Sequence, residues 1–84
     1  MADLTVLFET AVAESKNLTE RPDNATLLKI YGLYKQAMAG DNQEKKPGFA
    51  DVVARAKWEA WDACKGLDTA TAMQRYIDLI ASLE

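Results

Sequence analysis

Histidine is absent from the 84 residues, and Cys64 is the only cysteine. The first absence removes the commonest general base and the commonest zinc ligand. The second excludes an internal disulfide and any cysteine-based metal set. A lone thiol with no imidazole to activate it is also a poor nucleophile. Acidic side chains such as Asp51, Glu59 and Asp62 are scattered over polar helical faces, which does not suit an acid–base pair. No glycine-rich phosphate loop or nucleotide fingerprint occurs. The chain therefore reads as neither an enzyme nor a metalloprotein. No apolar run approaches the roughly 20 residues needed to cross a bilayer. The opening Met1-Ala2-Asp3-Leu4 carries an acid where a signal peptide would carry a base. The expectation is a soluble, cytoplasmic protein with no stable membrane insertion.

Proline and glycine are also scarce, two and four residues respectively, and all but Gly32 fall at expected helix ends or in connectors. A chain this short makes one domain and buries only roughly 60–65% of its unfolded surface. The first helix is expected from Asp3, a good N-cap, to Ser15, with Leu4, Phe8, Ala11 and Val12 at helical spacing. A connector follows to Pro22. The second helix starts near Asp23 or Asn24 and ends at Gly40. Its apolar stripe is Leu27, Ile30, Tyr31, Tyr34, Ala37 and Met38. Leu28 and Lys35 lie on one shoulder beside Tyr31, while Lys29, Gly32 and Gln36 point the other way. Gly40 to Gly48 is a polar loop with strong turn chemistry. The third helix runs from Phe49 or Asp51 to Lys65 and stops at Gly66. Asp68 or Thr69 caps the fourth, whose stripe is Met73, Tyr76, Ile77, Ile80 and Leu83, with Tyr76 towards one edge. No strand signal appears, so the fold class is all-α, a four-helix bundle.

Charge is unevenly spread. The net charge is −3, yet the stretch from Lys29 to Lys57 holds six bases against three acids, a local +3. A local field of that sign attracts anions whatever the total. Within it, Tyr31 and Lys35 are helical neighbours at i and i+4, with Tyr34 within reach. Hydroxyl and ammonium donors of this kind hold a phosphate by charge-assisted hydrogen bonds. Lys57 and Trp61 repeat the i, i+4 pairing, and Trp58 adds a second indole ring. Aromatic rings next to a cation suit an adenine face or a cation–π contact. The same tyrosines and tryptophans would serve equally as core anchors with polar atoms at the rim.

The run Leu27-Leu28-Lys29-Ile30-Tyr31-Gly32-Leu33-Tyr34-Lys35-Gln36-Ala37 resembles the acyl-CoA-binding protein family. So do Gly40-Asp41, Lys46-Pro47-Gly48 and Ala56-Lys57-Trp58-Glu59-Ala60-Trp61, with Phe8, Leu18, Pro22, Gly66, Ala72, Met73, Tyr76 and Ile77 in support. The resemblance implies that residues 1–84 form one acyl-CoA-binding four-helix domain. It implies non-catalytic binding, buffering and transport of medium- and long-chain acyl-CoA esters. By matching position, Tyr31, Lys35 and Lys57 would hold the 3′-phosphate, Tyr34 would lie against the adenine, and Tyr76 would close the other side of the nucleotide. Lys16 would match a basic position at the end of the first helix that also reaches the ligand. Leu27 and Leu28 would line the acyl path, and Val12 is a further acyl contact. The implied ligand is acyl-CoA with no cofactor, and the implied partners are acyl-CoA-using lipid enzymes, the protein itself being a monomer. Val53 stands where a lysine is frequent in the family. Two other readings compete: a helical protein-interaction module using the aromatic and basic face, and a nucleic-acid binder. The pI near 4.9 argues against the latter.

Overall fold

The computed structural model describes residues 3–84 and contains four helices, α1 (Leu4–Ser15), α2 (Asn24–Ala39), α3 (Val52–Asp62) and α4 (Thr69–Ser82). Met1 and Ala2, the first half of the stretch read for a signal peptide, lie outside the described residues. No strand occurs among the described residues, and no helix there is long and apolar enough to cross a membrane. Each helix opens on an aspartate. The carboxylates of Asp3, Asp23, Asp51 and Asp68 accept from the amides of Thr5, Thr26, Ala54 and Thr71. Each cap satisfies an amide that the helix itself leaves unpaired and is worth about 1 kcal/mol. The chain leaves α2 through Gly40, whose φ of 78° favours glycine.

One boundary differs from the expectation. The third helix stops at Asp62, not Lys65. Beyond it the backbone tightens to i→i−3 bonds, from Cys64 to Trp61 and from Lys65 to Asp62. The Gly66 amide then donates to the Asp41 carboxylate at 2.9 Å. That partner lies far away in the chain, so it was not visible in the local pattern.

Close helix pairings join α2 to α4, α2 to α3, and α1 to α4. The apolar core gathers Phe8 and Ala11 of α1, Ala37 of α2, and Ala72, Tyr76 and Ile80 of α4. Phe8 meets Tyr76 edge-on at 5.0 Å and stacks on Tyr34 at 6.1 Å. Such aromatic pairs add to the stabilisation from area burial alone. In the buried apolar set, α3 is represented only by Trp61.

Helix α2 buries a second face as well. Gly32 and Gln36, read as pointing away from the apolar stripe, are both buried, while stripe residue Met38 is 61% exposed. The reason is the close approach of α3. A Cβ on Gly32 would lie 2.4 Å from the Ala60 carbonyl oxygen. Gln36 ties the far end of this seam together. Its Nε2 donates to Asp41 Oδ1 and to the Leu67 carbonyl, both at 2.8 Å, and its Oε1 is buried with no protein partner.

Candidate functional site

Tyr31 of α2 lies against Lys57 of α3, and Lys35 of α2 against Trp61 of α3. The contacts advance in the same order along both helices, so the two helices run parallel. A parallel pair cannot be joined by a tight turn, and residues 40–51 carry the chain back. Both indole N–H groups anchor that connection. Trp61 Nε1 donates to the Gly40 carbonyl at 2.8 Å, and Trp58 Nε1 to the Glu44 carbonyl at 2.7 Å. Asn42 is buried inside it, donating to the Trp58 carbonyl at 3.2 Å and accepting from the Glu44 amide at 2.9 Å.

The seam sets the cations. Lys57 Nζ stands 5.6 Å from the centre of the Tyr31 ring, and Lys35 Nζ 4.7 Å from that of Trp61. Each ammonium thus covers an aromatic face of the opposite helix. The cation–aromatic contacts cross between the helices, beside the i, i+4 spacing of Lys35 with Tyr31 and of Lys57 with Trp61. Gly32 permits this, because any larger residue would hold α3 away from α2. Cation–π contact at this range holds a lysine without using up its hydrogen-bond donors. Two such lysines and the Tyr31 hydroxyl make a set of donors suited to an oxyanion.

Below them lies a groove of about 420 Å³. Leu27, Leu28, Val52, Val53 and Ala56 form its apolar walls, and Arg21, Asn24, Tyr31 and Lys57 its polar ones. No carboxylate lines it. Of the residues singled out in the sequence, Tyr31, Lys57, Leu27 and Leu28 meet here, and Lys35 sits on the adjoining seam. Arg21, Asn24, Val52 and Ala56 also line the groove without standing out in the sequence as site residues. The signal was available: 24, 27, 28 and 31 form one helical stripe, as do 52, 53, 56 and 57.

The other candidates lie elsewhere. Tyr34 is 37% exposed on the opposite shoulder of α2. There it shares a second hollow, about 350 Å³, with Val12, Phe8 and Met38. Val12 is therefore separated by α2 from Leu27 and Leu28 and does not continue their wall. Tyr76, placed by its stripe towards an edge, is only 2% exposed. Its ring fills the core 6.5 Å from Tyr34, and burial pushes its phenol up from the ordinary value of 10.0. Lys16 is the exposed C-cap of α1 and does not line the groove.

Burial raises the Cys64 thiol above its ordinary 9.0, away from the reactive thiolate. Among the described residues no group of three His, Cys, Asp or Glu side chains could hold a metal.

A family model described as "Acyl CoA binding protein" matches residues 5–80. The chain is 43% identical over 76 residues to an acyl-CoA-binding protein homolog of Drosophila melanogaster, covering 90% of this chain and 88% of that one. It is 44% identical over 80 residues to acyl-CoA-binding protein homolog 1 of Caenorhabditis elegans, covering 95% and 93%. The crystal structure of Oryza sativa acyl-CoA-binding protein 2 superposes with a TM-score of 0.92 at 36% identity, covering 95% of this chain and 87% of that one.

Proposed function

The chain belongs to the acyl-CoA-binding protein family, and from that premise we propose that it binds acyl-CoA esters, buffers them and carries them to enzymes that use them. No bond is made or broken in this role. The observation that carries the reading is the α2–α3 groove, where an apolar wall at Leu27 and Leu28 adjoins the Lys57 ammonium over the Tyr31 ring.

Tyr31, Lys35 and Lys57 donate to the 3′-phosphate, and the apolar wall takes the acyl chain. The CoA head carries roughly four negative charges, which asks for such donors. The tail gains about 0.8 kcal/mol for each methylene removed from water, or on the order of 10 kcal/mol for a dozen before ordering costs. Tyr34 meets the adenine from its exposed side. Val12, in the same hollow, touches the ring system and not the tail. Tyr76 backs Tyr34 from the core and positions it without touching the ligand. Lys16 adds a more distant cation.

Calorimetric titration with free CoA and with acyl-CoAs of increasing length tests this. Affinity should climb with chain length, and palmitoyl-CoA should bind far more tightly than CoA. Lys35→Ala should cost about tenfold to a hundredfold at every length, the value of a charged hydrogen bond. Equal affinities for CoA and palmitoyl-CoA would overturn the proposal.

A further inference from the structure

Three of the most exposed large apolar side chains crowd the start of α3. Phe49 is 85% exposed, Val52 71% and Val53 66%. Val52 and Val53 also form the lip of the α2–α3 groove. So much apolar area in one turn is costly in water and marks a contact surface.

The charges around it indicate what it meets. Arg21 and Lys57 line the groove behind the lip, and no carboxylate does. The Arg55 guanidinium lies 4.4 Å from the centre of the Phe49 ring. Glu59 is the counterion of Arg55 itself, which leaves Arg21 and Lys57 as the cations of the groove mouth. Asp51 caps the α3 amides through Ala54, and Glu59 bridges Lys46 and Arg55. Apolar tips backed by cations are the pattern of a segment that lies shallowly in the headgroup region of an anionic bilayer.

We propose that Phe49, Val52 and Val53 dock this protein peripherally on anionic lipid bilayers, with the groove mouth turned to the lipid. An acyl tail leaving the bilayer then slides over Val52 and Val53 onto Leu27 and Leu28 without crossing water. Only this path of the tail rests on the acyl-CoA reading; the docking stands apart from it and is tested without acyl-CoA.

The experiment is co-sedimentation of the full chain with phosphatidylcholine vesicles, with and without phosphatidylserine. Binding should require phosphatidylserine despite the net charge of −3. It should weaken as salt rises from about 0.1 M to about 1 M, which cuts the screening length from roughly 10 Å to 3 Å. The combined Phe49→Ser, Val52→Ser, Val53→Ser variant should lose binding about tenfold or more, while keeping its helical circular dichroism. A control at the exposed apolar pair on α1, Val6→Ser with Leu7→Ser, should leave it intact. Three results would overturn the proposal. They are no binding to phosphatidylserine vesicles, equal loss in the two variants, and a wild-type dimer in sedimentation velocity that the triple variant abolishes. Calorimetry with acyl-CoA in the absence of vesicles shows separately whether the carrier reading holds.

Discussion

The two faces of α2 are built on opposite terms. Towards α1 and α4 it contributes to a closed apolar core in which Ala72 is fully buried and Ile80 and Tyr76 are 1% and 2% exposed. Towards α3 it offers a glycine, a glutamine and a lysine, and the contact is made by backbone approach and crossed cation–aromatic pairs. The first face gains from the removal of apolar area from water. The second gains less from burial and leaves donors facing a groove. Stability and binding are thereby divided between two sides of one helix, and substitutions should separate them.

The largest effect is expected in the core. Ile80→Ala removes a fully enclosed side chain and should cost about 2–5 kcal/mol of unfolding free energy in urea melts. Acyl-CoA affinity of the protein that remains folded should hardly change. A fall in that affinity as large as the fall in stability would break the division. On the other face, Gly32→Ala sets a methyl group against the Ala60 carbonyl. Overpacking of this kind costs about 1–3 kcal/mol, offset by about 1 kcal/mol of recovered helix propensity. Melting should therefore move modestly, whereas acyl-CoA affinity should drop more, because α3 carries Lys57 and half of the groove away from α2. Unchanged affinity would show that the close approach does not set the site.

The smallest effect concerns acid. Bonds from the Gly66 amide and Gln36 hold the Asp41 carboxyl below the ordinary 3.8. The unfolded state then binds the proton more readily, so this contribution is complete above pH 3.8 and lost as pH falls through the lower folded value. Asp23 and Asp68 are lowered through their own caps and add to the same slope. Urea melts between neutral pH and pH 3 should show a shallower loss for Asp41→Asn than for the wild type. An identical slope would remove Asp41 from the account.

Much of the fold was legible because it is local. Asp3, Asp23, Asp51 and Asp68 announce each helix start, and Gly40 closes α2 at the expected place. Of the α4 stripe, Tyr76 and Ile80 are buried core while Met73, Ile77 and Leu83 pack half-buried against it, and Tyr76 lies deeper than its edge position suggests. What escaped depends on partners distant in the chain. A single helical wheel gives α2 one buried stripe, but a central helix has two, and the second is made of Gly32 and Gln36, which no hydropathy pattern marks. The site divides similarly. Tyr31, Leu27 and Leu28 follow from spacing along α2, and Lys57 joins them from α3. Arg21 arrives through the turn at Pro22, and the exchange of lysines across the seam required both helices to be placed.

Among its neighbours α3 has one close helix pairing, and Trp61 is its sole buried apolar contribution. With so small a share of the apolar core, it is expected to open before the aromatic centre of α1, α2 and α4, as a low-stability cooperative unit. Its amides should exchange with deuterium well before those of α4. The groove in that case has a wall that breathes on its own clock, held shut by two indole N–H pins and a glycine seat.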